Sequence, residues 1–242
     1  MPRKAKIESV ADADAAVGGV AAVDRALSIL GAFKSDDVSL GLNELAKRTQ
    51  LYKSTVLRLL ASLAHAHLIQ QLEDGRYALG IQVARLHGVY AASFSLDRVV
   101  LPVLRQLVTA TGESAAFHVR QGEARLCLYR VDSPHPVRDH IRAGDLLPFD
   151  RGTGARVLIA FDPDREGAIA AQDQQLYAEI RAQGFCTAVG DRLSDVAGIS
   201  APVFKTDGSL AGALTLTMPS NRYQLSHVKT VLEMARKLSD GV

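Results

Sequence analysis

Tryptophan is missing from the sequence, and aromatic residues together make up only 5% of it. Proteins that grip single-stranded nucleic acid stack bases on aromatic side chains, so that mode of binding is disfavoured at once. Cysteine is scarce as well. Cys127 and Cys186 are too few for a disulfide framework and form no CxxC pair, and they suit a reducing cytoplasm. No apolar run approaches the roughly 20 residues a membrane span needs, so no membrane partner is expected. The first residues are basic but lack the apolar stretch of a secretory signal. Charge of one sign is also lacking: with a formal net charge of +2, attraction to nucleic acid has to come from a local patch.

Catalytic signatures are absent too. The sequence has no GxSxG, Walker or GxGxxG pattern. Among seven histidines, His65 and His67 stand two apart at a helix end without the HExxH spacing of zinc sites. His118 and Cys127 imitate a Cys–His pair, but each lies in an ordinary strand-like run, and a buried structural role is the simpler reading. Neither an enzyme nor a metal or cofactor site is expected.

What is present fills two unequal domains. The chain has 242 residues, 48% of them hydrophobic, enough for a substantial core. Residues 1–19, rich in Ala, Asp and Gly, read as a disordered arm. From there Val23, Ala26, Leu27, Leu30 and Phe33 fall on one helical stripe. Gly41 stands at an N-cap position and Glu44 at that of a capping-box acid, opening a short helix that ends near Thr49. A third helix follows over residues 52–65, with Val56, Leu59, Leu60 and Leu63 inward and Lys53, Ser54, Leu57, Arg58 and Ala61 outside that stripe. Two short helices joined by a tight turn, the second bearing hydroxyl and basic groups near its start, make a helix-turn-helix. Residues 68–72 and 76–79 then read as strands around Asp74-Gly75, a hairpin in the place of a wing, with Arg76 set to touch a phosphate. The competing reading is a protein-interaction module, since seven Lys/Arg against six Asp/Glu between Val20 and Gly80 do not themselves favour DNA.

After Gly80 two further helices are expected, one apolar on more than one side through Tyr90 and one over residues 96–109. The first of these reads as a linker helix and a dimer contact, because a reader of pseudo-palindromic DNA needs two-fold symmetry. Strands are expected over residues 115–120, 124–131, 137–141, 199–205 and 210–218, and helices over 152–161, 176–183 and 226–238. A sheet with helices on one face is an α+β arrangement. The turn Gly152-Thr153-Gly154-Ala155 opens a helix whose N–H groups and dipole favour a carboxylate. Thr215 and Thr217, two apart on one strand, point their hydroxyls to one face. On their own they are explained by β-propensity.

Three stretches together resemble the IclR family of bacterial transcriptional regulators. They are residues 23–30 (VDRALSIL), 51–60 (LYKSTVLRLL) and 75–80 (GRYALG). Residues 111–114 (TGES), 199–204 (ISAPVF) and 213–217 (ALTLT) are similar to motifs opening and closing that family's effector domain. The resemblance implies a winged helix-turn-helix over residues 20–82. It also implies a linker helix and an effector and oligomerisation domain over 83–242, with a GAF-like curved antiparallel sheet. It implies double-stranded operator DNA as partner, a homodimer or dimer of dimers, and control of a catabolic operon by repression or activation. Carried over by position, Lys53, Ser54, Thr55 and Arg58 are the recognition-helix contacts, and Asp191 and Gly198 join Thr153, Gly154, Ala155, Thr215 and Thr217 around an effector. The chain departs from the family's pattern at Tyr52 (commonly Pro), Leu57 (commonly His) and Ala155-Arg156 (commonly Gly-Lys). The effector expected is a small organic acid. The alternative is a constitutive DNA-binding factor whose large domain only dimerises.

Overall fold

The computed structural model describes residues 8–94 and 96–242. They form two compact units that divide between Ser93 and Phe94. The helix expected to link the domains, Ile81–Phe94, therefore falls almost wholly with the first unit rather than beyond a boundary at 82.

The first unit opens with α1 (Val10–Ala13) and α2 (Ala21–Gly31). Part of the arm expected to be disordered is thus ordered. Composition misses the reason, which is polar: the Ser9 hydroxyl accepts from the Asp12 amide at 3.2 Å, and Arg25 on α2 donates to the Asp12 carboxylate at 2.9 Å. In α2 the buried residue is Ile29, while Val23 and Leu27 of the expected stripe are exposed. Ala26, Ile29, Leu30 and Phe33 have the same helical spacing one step around the axis, so periodicity alone does not choose between the two stripes.

Helices α3 (Leu42–Thr49) and α4 (Lys53–His65) are joined by a three-residue turn. Gln50 makes it by adopting a left-handed conformation, and Thr49, fully buried, donates its hydroxyl to the Leu45 carbonyl at 2.7 Å. Gly41 caps α3 as expected, but Glu44 forms no capping box; its carboxylate accepts from Arg48 one turn on, at 2.8 Å. Strands β1 (Ile69–Gln71) and β2 (Tyr77–Leu79) form an antiparallel hairpin around Gly75, whose positive φ suits glycine. Leu40 pairs with Tyr77 through two backbone bonds of 2.8 Å, adding a third edge to the wing. Ile29, Leu40, Leu45, Val56, Leu60, Leu63, Ile69 and Tyr77 share one core. On α5 (Ile81–Phe94), Ile81, Leu86, Val89 and Tyr90 remain exposed within the single chain.

The second unit begins with α6 (Leu96–Thr111) and is built on a six-stranded antiparallel sheet in the order β5-β4-β3-β8-β7-β6. Its strands are β3 (Ser114–Gln121), β4 (Ala124–Val131), β5 (Leu146–Pro148), β6 (Cys186–Val189), β7 (Val196–Phe204) and β8 (Leu210–Pro219). Helices lie on both faces, not one. α6 and α9 (His227–Ser239) cover a dry core of Phe117, Ile199, Leu214, Leu216 and Met218. α7 (Thr153–Ala160) lies on the opposite face and packs α8 (Gln174–Gln183) behind it.

The strand expected over residues 137–141 is a loop. The pairing edge of β4 is taken by β5, and the Asp139 carboxylate inside the loop is held by Arg130 and Arg192. Ile141 also turns inward, against Ala116 and Cys127. Among the described residues, no helix is long and apolar enough to cross a membrane.

Candidate nucleic-acid interface and ligand cavity

Helix α4 presents the DNA candidates. Lys53, Ser54 and Arg58 are exposed and Thr55 is half-buried, while Val56, Leu60 and Leu63 anchor the opposite side in the core. The first intrahelical bonds are donated by Thr55 and Val56 to the Tyr52 carbonyl, leaving the Lys53 and Ser54 amides at the open, positive end of the helix. No acidic residue lies in that first turn to neutralise it. Amides, a hydroxyl and two cations on one exposed helix start are what phosphate oxygens and base edges require. Tyr52 and Leu57 are exposed beside them. Arg76 stands on the wing, where its guanidinium donates to the Ser39 carbonyl at 2.5 Å. It is exposed but already tied to its own chain.

The second unit holds a cavity of about 30 Å³ between α7 and the sheet face opposite the dry core. Of the sequence candidates, Thr153, Asp191, Gly198, Thr215 and Thr217 line it. Ala155 does not; it is packed among Phe149, Val157 and Leu158. Gly154 stands behind the wall, where a Cβ would come within 2.9 Å of the Thr215 hydroxyl.

The carboxylate-seeking turn is occupied by the chain's own carboxylate. Gly152, at φ 87°, donates its amide to Asp191 at 2.6 Å, and Arg156 donates two bonds to the same carboxylate at 2.5 and 2.8 Å. The Arg156 bonds hold the Asp191 carboxyl below its ordinary pKa. Arg156 therefore acts as clamp on Asp191.

Several groups that sequence reasoning missed complete the site. Ser200 bridges the Thr153 hydroxyl at 2.8 Å and the Thr215 hydroxyl at 2.9 Å, and His118 Nδ1 meets Thr215 at 3.2 Å. His118 is buried, as expected, and its Nε2 has no hydrogen-bond partner among the described residues. Burial first, then the charges of Arg125, Arg130 and Arg192, keep its pKa well below the ordinary value, so the ring is neutral. Arg125 and Arg192 also line the cavity. Arg125 is only 3% exposed, and burial, reinforced by the Arg192 charge, pulls its pKa down to about 10. The one sequence signal was phase: Arg125 and Cys127 fall on alternate positions of β4, as Gly198 and Ser200 do on β7, a period of two that assigns them to one face of the sheet but not to a common site. No cluster of His, Cys, Asp or Glu suited to a metal occurs among the described residues.

Two family models match the chain. The IclR helix-turn-helix domain matches residues 22–73, and the bacterial transcriptional regulator IclR C-terminal domain matches residues 89–178 and 168–242. The glycerol operon regulatory protein of Streptomyces griseus is 25% identical, over 84% of this chain and 86% of that protein. An IclR transcriptional regulator structure from Alicyclobacillus acidocaldarius superposes with a TM-score of 0.80 at 21% identity, covering 92% of this chain and 98% of that one. The structure of an IclR homologue complexed with 4-hydroxybenzoate, from Microbacterium hydrocarbonoxydans, does so at 0.79 and 20%, covering 90% and 98%. These two likenesses bear on the fold; the family models match residues 22–73 and 89–242, in both units. The chain belongs to the IclR family of bacterial transcriptional regulators.

Proposed function

We propose that this DNA-binding regulator is controlled by a small organic acid held in the second unit, and that it governs a catabolic operon. One observation carries the reading: a sheet face that is buried yet lined by hydroxyls, an imidazole and guanidinium groups around a cavity. Polar groups are costly to bury, and a domain that only dimerises has no need of them there. The chain's likeness to a regulator of a glycerol operon, and to a homologue complexed with an aromatic acid, supports the ligand and operon classes.

Lys53, Ser54, Thr55 and Arg58 contact the operator, with Arg76 at a flanking phosphate. Thr153, Gly154, Ala155, Asp191, Gly198, Thr215 and Thr217 form or support the effector site, Asp191 by fixing the turn and Ala155 from behind it. The protein acts in the cytoplasm as a homodimer or dimer of dimers, the exposed apolar residues of α5 being available for that contact. The ligand works by population shift: binding two arrangements unequally by roughly 1–3 kcal/mol changes operator affinity about 5–150-fold.

The test is operator binding measured against salt, with and without acids that raise the melting temperature. Salt-sensitive duplex binding that an acid shifts supports the reading. Operator binding that no stabilising acid alters returns the second unit to a purely dimerising role.

A further inference from the structure

The cavity is ringed by charges that pair off unevenly. Asp191 is taken by Arg156 and the Gly152 amide. Asp139 is taken by Arg130 and, at 3.3 Å, by Arg192, and Asp132 by Arg130 at 2.7 Å. Arg125 is left over. Its Nε donates to the Pro148 carbonyl at 3.3 Å, but it forms no salt bridge with any carboxylate among the described residues. Its two terminal nitrogens lie against the turn, 2.7 Å from where Cβ atoms of Gly152 and Gly154 would stand, so glycines make room for the guanidinium. A buried cation there is unfavourable twice over, through lost hydration and through the neighbouring charge of Arg192. Beside it, the Nε2 of His118 is also without a partner.

The cavity itself has room for little more than water. It adjoins a larger groove of about 510 Å³, with which it shares Ile141, Arg192 and Val196. That groove is largely apolar, through Val137, Leu147, Leu193 and Pro219.

We infer that Arg125 is the anion anchor of the effector site, and that its ligand is a monocarboxylate with an apolar ring or chain. The carboxylate meets the Arg125 guanidinium, a neighbouring hydroxyl or keto group meets the His118 and Thr215 side, and the apolar part lies toward the groove. One unpaired cation calls for one negative charge, which favours a monoanion over a dicarboxylate. A two- or three-carbon acid leaves the groove unfilled. The inference rests on the effector reading above and names the ligand class and the residue that selects it.

Calorimetry on the full chain tests it, with 4-hydroxybenzoate, phenylacetate, phenylpropionate and hexanoate set against pyruvate, succinate and the neutral amides of the first three. The expected result is that at least one aromatic or long-chain monoacid binds, more tightly than pyruvate or succinate. Its amide, and the acid with Arg125→Gln, should be weaker by roughly 10–150-fold, the range for a hydrogen bond to a charged group. A second measurement needs no ligand. Arg125→Met relieves an unpaired buried charge and should raise the melting temperature of the free protein, by roughly 2–4 °C for each kcal/mol gained. A melting temperature that falls instead makes Arg125 a structural group and overturns the assignment. So does an acid that Arg125→Gln binds within threefold of wild type, an amide that binds as well as its acid, or no binding by any monoacid. If an acid binds through Arg125 yet leaves operator affinity unchanged, the anchor stands and the regulatory reading fails.

Discussion

The two faces of the six-stranded sheet are made from alternate residues of the same strands, yet they are buried for opposite purposes. On β8, Leu214, Leu216 and Met218 enter the dry core under α6 and α9, while Thr215 and Thr217 turn to the cavity under α7. On β7, Ala197, Ile199 and Ala201 do the first, and Gly198 and Ser200 line or support the second. The first face gains its stability from apolar area withdrawn from water. The second gives up part of that gain, because it shelters hydroxyls and a neutral imidazole that bond to one another, and a cation held only by the Pro148 carbonyl among the described residues. The difference teaches where function sits in this unit: one face holds the fold together, and the other is kept polar at some cost in stability.

The comparison can be broken most forcefully on the dry side. Leu216→Ala should cost about 2–5 kcal/mol of stability, read by denaturant unfolding, through lost transfer energy and the cavity left behind. A loss under 1 kcal/mol would show that this face is not the stabilising one. On the polar side, replacing Thr215 and Thr217 together by Val should abolish the ligand-induced change in operator affinity, about 5–150-fold in wild type. A retained response would remove both hydroxyls from the site.

The buried imidazole sharpens the contrast through pH. His118 is neutral in the folded chain because its pKa lies well below 6.5, whereas in the unfolded chain it takes up a proton near that value. The unfolded state then binds more protons, so this group makes stability fall as pH drops below about 6.5 and flatten once the folded pKa is passed. The slope is at most about 1.4 kcal/mol per pH unit. His118→Gln should remove it, and an unchanged pH profile of unfolding would show that the ring is already protonated in the folded state. The smallest effect is expected in the first unit. Leu57 is exposed on α4, and if it meets a thymine methyl, replacing each operator thymine by uracil in turn should weaken binding at one position by under about 1 kcal/mol. Equal affinity at every position would rule that contact out.

The first unit was largely legible because its contacts are local. The stripe of Val56, Leu60 and Leu63, the turn after Thr49 and the Asp74-Gly75 hairpin are all written within a few residues of each other. The errors there came where two answers share one period, as with Ile29 against Val23 and Leu27 on α2, or where a polar bond ordered a stretch whose composition read as disordered. In the second unit the pair Thr215 and Thr217 was visible from spacing, because a strand alternates strictly. Arg125, His118 and Ser200 were not, because each becomes a site residue only when strands far apart in sequence align.

By itself, the sequence determined the helix-turn-helix with its wing, the antiparallel strands that close the chain and the family to which they belong. Period, turn chemistry and short motifs are local properties, and a single chain displays them directly. Only the tertiary structure decided that helices cover both faces of the sheet, that residues 137–141 form a loop, and that Asp191 fills the turn opening α7. Only there could Arg125 be seen to lack a carboxylate among the described residues. The charge partner of a side chain is set by which groups come within a few ångströms after folding, and sequence separation says almost nothing about that distance.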